Sequence, residues 1–183
     1  LVVEWTRATV RVAVGAGPKR GLQIIRSAPV SASDTVEALR TLVKAIKGMP
    51  EEVIGVIPRE LVLTRVVKFP STQEGELAQM VELYAKAQLP YAREQTVMDF
   101  HLLARAEGFS TVAVIACQCE VVNRHLAILR DAGLSPTLLT MSSWGVLGWY
   151  QQLLRHAPSP KSLAGGQEPT LVVNLDDTRT DLV

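Results

Sequence analysis

Cys117 and Cys119 sit one residue apart, with His125 downstream, and of all the residues these most suggest metal chemistry. Structural zinc takes four ligands at recognisable spacing, and here a fourth is missing. The competing reading is that Cys117 ends a buried strand and Cys119 opens a helix. A disulfide between them would strain an extended i,i+2 pair, so the two thiols fit a reducing, cytoplasmic setting. Asp99 and His101 would share one face of a strand, but no Ser or Cys stands at a nucleophile-like turn beside them. They read as polar surface rather than as a general base. His156 falls at a predicted helix C-terminus, where positive charge suits the dipole. No histidine is assigned a catalytic role, and no metal site is expected.

The chain around these residues has 183 positions, 48% hydrophobic and 20% charged, enough for one compact domain or two lobes. Nineteen Lys+Arg against eighteen Asp+Glu leave a net charge of +1. That balance excludes the basic stripe a nucleic-acid binder needs, since the longest basic cluster is Lys19-Arg20. No run of about 18 consecutive apolar residues is present, so no membrane span is expected, and no signal peptide is expected either. The sequence starts without Met inside Leu1-Val2-Val3 and stops inside Asp181-Leu182-Val183. It therefore reads as a fragment of a longer protein.

Period-two alternation predicts strands at 1–5, 8–14 and 22–26, with a turn at 15–18. A helix is expected over 34–47, capped by Ser33 and ended by Gly48. Val53–Ile57 reads as a strand covered on both faces, and Leu61–Phe69 alternates up to Pro70. Ser71-Thr72-Gln73-Glu74 matches a capping box, with Glu74 reaching back to the Ser71 amide. It opens a helix to Gln88 with the stripe Leu77, Met80, Val81, Tyr84. Strands at 96–105 and 111–117 precede a helix at 120–132. A strand at 137–140, a helix at 143–156 and strands at 171–175 and from 180 complete an α/β chain. Ala157–Pro169, rich in Pro, Ser and Gly, reads as a loop. Trp144, Trp149 and Tyr150 share the 143–156 helix, as core or as a contact surface.

Three antiparallel strands, a helix, a parallel strand and an interruption resemble the ribonuclease-H-like half of actin-like ATPases. Ile57-Pro58-Arg59-Glu60-Leu61, Arg65-Val66-Val67-Lys68-Phe69-Pro70, Glu76-Leu77 and Ala87-Gln88-Leu89-Pro90-Tyr91 sharpen the likeness. With Ala132-Gly133-Leu134 and Leu171-Val172-Val173-Asn174-Leu175, they resemble the PilM family of type IV pilus assembly proteins. That family is itself similar to FtsA and GspL. The resemblance implies the first half of an actin-like fold, with 1–65 and 135–183 as the ribonuclease-H-like subdomain. Residues 66–134 would be an inserted small α/β module for protein contacts.

Actin-like ATPases grip phosphate with two Asp-apolar-Gly hairpins, the glycines admitting phosphate oxygens and the aspartates holding Mg²⁺ through water. The resemblance places Glu4, Trp5 and Thr6 on the first hairpin, and Asn174, Leu175, Asp176 and Thr180 on the second. Both glycines are replaced and both aspartates changed, so these are degenerate hairpins and Mg-ATP binding is doubtful. The implied function is a cytoplasmic scaffold, peripheral to the inner membrane. It would bind the cytoplasmic N-terminal peptide of an inner-membrane pilus-assembly protein, with a motor ATPase as a further possible partner. Leu61, Leu63, Arg65, Leu77 and Tyr84 are the implied contacts, with the peptide adding to a strand edge. The alternatives are a functional actin-like ATPase, a GspL-like type II secretion protein, and a membrane-tethered filament former.

Overall fold

The computed structural model describes residues 1–15, 22–31, 34–46, 48, 50–90, 92–156, 171–175 and 180–182. Ser33, the Ala157–Pro169 loop and Asp176 lie outside them. The chain forms two compact units, Leu1–Arg59 with Ile128–Val183, and Glu60–Ala127.

In the first unit, β1 (Val2–Trp5) and β2 (Thr9–Gly15) pair antiparallel, and β3 (Leu22–Pro29) extends the meander. The alternation Val3, Trp5 and Val10, Val12, Val14 turns one face of this hairpin to the core. Helix α1 (Thr35–Lys44) then carries the chain to β4 (Ile54–Ile57), which lies parallel to β1. Strand β8 (Leu138–Met141) adds in parallel to β4, giving the order β3-β2-β1-β4-β8. The core is built from Val3, Val10, Val12, Leu39 and Leu129, with Val36, Leu42 and Val43 of α1 packed against it.

Gly55 is where β4 admits its cover. A Cβ there would meet Leu139 Cδ2 at 2.6 Å and Leu129 Cδ1 at 2.8 Å. Helix α1 stops three residues short of the expected 47. Its last turn tightens, with Ile46 N donating to Val43 O at 2.9 Å. At its start Asp34 stands in the flanking position, its carboxylate bonded to the Ser31 hydroxyl at 2.5 Å.

The second unit is a three-stranded sheet in the order β5-β7-β6, made of β5 (Val62–Phe69), β6 (Thr96–Ala106) and β7 (Phe109–Gln118). The β6–β7 hairpin turns on Glu107 and Gly108, both at positive φ (53° and 80°), the two-residue geometry that matches strand twist. Helix α2 (Glu74–Gln88) covers one face, packing Leu77 and Val81 on Phe69, Val112 and Val114. Tyr84 meets Phe69 edge-on, with centroids 6.1 Å apart and planes at 83°.

The expected capping box is replaced by a different contact. Ser71 Oγ accepts from Gln73 N at 3.0 Å and donates to the Glu76 carboxylate at 2.5 Å, so Glu76 rather than Glu74 closes the helix start. Helix α3 (Cys119–Asp131) follows β7 and ends at Gly133, whose φ of +82° lets Leu134 N return to Leu129 O at 2.9 Å. Helix α4 (Ser142–His156) follows β8, and β9 (Val173–Leu175) and β10 (Thr180–Leu182) form a separate antiparallel ribbon. Among the described residues, no helix is long and apolar enough to cross a membrane.

Candidate functional site

The β1–β2 turn is a closed structure. Thr6 N donates to Thr9 O at 2.8 Å, and the Thr6 hydroxyl accepts from Ala8 N at 3.2 Å and Thr9 N at 3.1 Å. A glycine in this place would leave the last two amides pointing at whatever lay above the turn; the threonine oxygen fills that position instead. Glu4 sits directly opposite Arg11 across the hairpin, and their side chains pair at 3.5 Å. A carboxylate held this way has a cation of its own beside it.

The second hairpin is described by its register. In β9–β10, Asn174 faces Asp181 and Leu175 faces Thr180. The structure thus joins Glu4 and Thr6 in one hairpin.

The partner-contact candidates divide by burial. β5 is an edge strand, and Leu61 (43% exposed) and Arg65 lie open to solvent at its start and middle, while Leu63 is half-buried. The Arg65 guanidinium donates to Thr64 O at 3.3 Å. Leu77 is 1% exposed and points into the core under α2. That burial is a correction to its place among the contact residues, because a side chain packed on Phe69 and Val112 holds the unit together and offers no surface. Tyr84 is half-buried against Phe69 and presents only part of its ring.

The two thiols and the His125 imidazole contact backbone carbonyls. Cys117 is buried in β7 and its Sγ donates to Leu61 O at 3.5 Å, with burial pushing its thiol pKa up. Cys119 opens α3, and both cysteines are free. His125 Nδ1 lies 2.8 Å from Val121 O, a carbonyl that only accepts, so this nitrogen carries the proton. Among the described residues no group of His, Cys, Asp and Glu could hold a metal ion. Sequence reasoning passed over Arg11, though its placement opposite Glu4 follows from a tight turn at 6–9. Thr6-x-x-Thr9 was itself the available signal for that turn.

A family model described as type IV pilus assembly protein PilM matches residues 23–164. The chain belongs to this family. Among solved structures it is similar to a PilM–PilN type IV pilus biogenesis complex, at 21% identity and a TM-score of 0.79, covering 99% of this chain and 56% of the other. It is also similar to the cytoplasmic domain of EpsL, an inner-membrane component of the type II secretion system of Vibrio cholerae. That match has 15% identity and a TM-score of 0.54, and covers 76% of this chain and 56% of the other. No curated protein matches in sequence. The fold is therefore actin-like, with an α/β unit carrying the five-stranded sheet, and the chain spans about half the length of the PilM and EpsL chains it matches.

Proposed function

We propose that this PilM-family chain is the protein-binding half of a scaffold in a type IV pilus assembly platform, peripheral to the inner membrane on its cytoplasmic side. It takes the cytoplasmic N-terminal peptide of a PilN-like inner-membrane protein by strand addition to β5, with a motor ATPase as a second contact. The observation that carries this reading is β5 itself. It is an edge strand of a small sheet, with Leu61, Arg65, Val66 and Lys68 exposed along it. An added strand would gain main-chain hydrogen bonds, while side chains at alternate positions set the register.

The nucleotide hairpins are read as degenerate. Support comes from the Thr6 hydroxyl on the two turn amides and from Arg11 beside Glu4. The experiment is calorimetric titration of the full-length protein, first with Mg-ATP and then with the N-terminal peptide of the PilN-like protein. Expected are no nucleotide heat at millimolar ATP and clear peptide binding that Arg65→Glu weakens severalfold with the circular dichroism unchanged. Micromolar ATP binding overturns the degenerate-site reading, and peptide affinity unmoved by Arg65→Glu overturns the β5 site.

A further inference from the structure

The face of the β5-β7-β6 sheet opposite α2 carries an apolar patch that is exposed among the described residues. Val66 is 65% exposed and Val97 46%, with half-buried Ile115 between their strands. A sheet with one packed face commonly shows a polar second face, and here the apolar centre is flanked by two opposite charges. We propose that this face docks on the same face of a second copy, making a weak two-fold dimer held by reciprocal Lys68–Asp99 pairs. This goes beyond the partner-binding reading and does not depend on it: it shares the side chains of Val66 and Lys68 with that reading, but uses the face of the sheet rather than the main-chain edge of β5.

The register carries the argument. Ala113 of the central strand lies opposite Val66 on one side and His101 on the other. Lys68 pairs with Thr111, two residues from Ala113 in one direction, and Asp99 pairs with Ile115, two residues in the other. The two charges are thus displaced from Ala113 by about 4.8 Å across and about 6.7 Å along, in opposite senses. A two-fold axis running between two such faces above Ala113, perpendicular to that diagonal, sets each Lys68 over the partner's Asp99. The same operation lays Val66 over the partner's Ile115, so apolar meets apolar.

The strands of the two copies then cross at about 70°, close to the orthogonal class of sheet packing. Ala113, small and 2% exposed, sits on the axis where the sheets approach most closely. Both charged groups are available at the surface. Lys68 Nζ lies 4.6 Å from the centroid of the exposed Phe109 ring, and Asp99 Oδ1 accepts the neighbouring Phe100 amide at 2.8 Å. A face only three strands wide covers less than a standard interface, which sets the affinity in the micromolar range or weaker.

The test is sedimentation of the full chain from micromolar to about millimolar concentration, a range that spans such weak affinities. The wild type is expected to self-associate. Lys68→Asp alone and Asp99→Lys alone each place like charges in register twice, and each is expected to weaken the dimer on the order of tenfold or more. A mixture of the two variants is expected to associate as well as the wild type, because every pair in the mixed dimer is again opposite in sign. A monomeric wild type overturns the proposal. So does self-association that neither single variant weakens, or a mixture that fails to recover while both variants keep the wild-type circular dichroism.

Discussion

Removing one hydroxyl tests whether Thr6 closes the β1–β2 turn, the proposed first phosphate hairpin. In Thr6→Ala the turn keeps its Thr6 N to Thr9 O bond but loses the two that Ala8 N and Thr9 N make to Oγ1, at 3.2 and 3.1 Å. Each neutral hydrogen bond contributes about 0.5–1.5 kcal/mol. Both amides lie at an exposed or half-buried turn and regain water, so the combined loss falls at about 1–2 kcal/mol. For a chain of this length that lowers the melting temperature by about 2–8 °C. Thr6→Ser keeps the oxygen and is expected to melt within a degree or two of the wild type.

Calorimetric melting reads the first half of the prediction, and titration with Mg-ATP of the double variant Glu4→Asp, Thr6→Gly reads the second. The double variant frees the amides and shortens the acid toward the actin-like pattern, so its nucleotide heat is expected to exceed that of the wild type. An unchanged melting temperature in Thr6→Ala would refute the claim that the hydroxyl occupies those donors. Micromolar ATP binding by the wild type would refute the inference drawn from it.

Leu77→Asp puts a carboxylate where 1% of the side chain is exposed. It is expected to cost about 3–5 kcal/mol and to unfold the second unit, seen as loss of the sheet signal and protease sensitivity between 60 and 127. Tyr84→Phe keeps the ring against Phe69 and is expected to change stability by less than about 1 kcal/mol, measured by urea denaturation. His125 supplies a pH dependence. Burial, reinforced by the Arg124 charge and opposed by the bond to Val121 O, holds its pKa below the ordinary 6.5. The unfolded chain therefore takes up its proton first, so this stabilisation is complete above pH 6.5 and is lost as pH falls toward the folded value. Melting temperature is expected to decline from pH 7.5 to 5.5, and to decline less in His125→Asn, a contrast that carboxylates titrating below about pH 5 do not produce.

Much of the architecture was legible because its signals are local. The alternation Val10, Val12, Val14 and the stripe Leu77, Val81 are periodic over enough residues to fix both type and buried face. Pro70 and Pro90 bracket α2 as expected. The short 3-10 turns at Arg59–Leu61 and Arg93–Gln95 were not legible, since three residues carry no period. The capping partner was misread because Ser71 lies two residues before the flanking Gln73, which brings Glu76 into reach instead of Glu74. Leu77 was misread as a contact for a related reason. A helical stripe names the face that is buried, and only the sheet beneath it says that this burial is complete.

The site was less legible because its chemistry is relational. Glu4 and Thr6 could be named as departures from an Asp-apolar-Gly pattern, but their effect depends on Arg11 and on the amides of Ala8 and Thr9. Those contacts require the hairpin register. The open face of the second unit was hidden likewise, since Val66, Asp99 and Ile115 belong to three strands that only pairing brings side by side. Apolar side chains at 65% and 46% exposure on one face are costly to leave in water, at about 25 cal/mol per Å². Valines of the same type on the face beneath α2, Val112 and Val114, are buried, so composition cannot separate the two faces and strand pairing can. Where the first unit has satisfied the amides of its β1–β2 turn internally, the second has left an edge strand and an apolar face exposed. The proposed division of labour, nucleotide site closed and protein surfaces open, follows from that contrast within one chain.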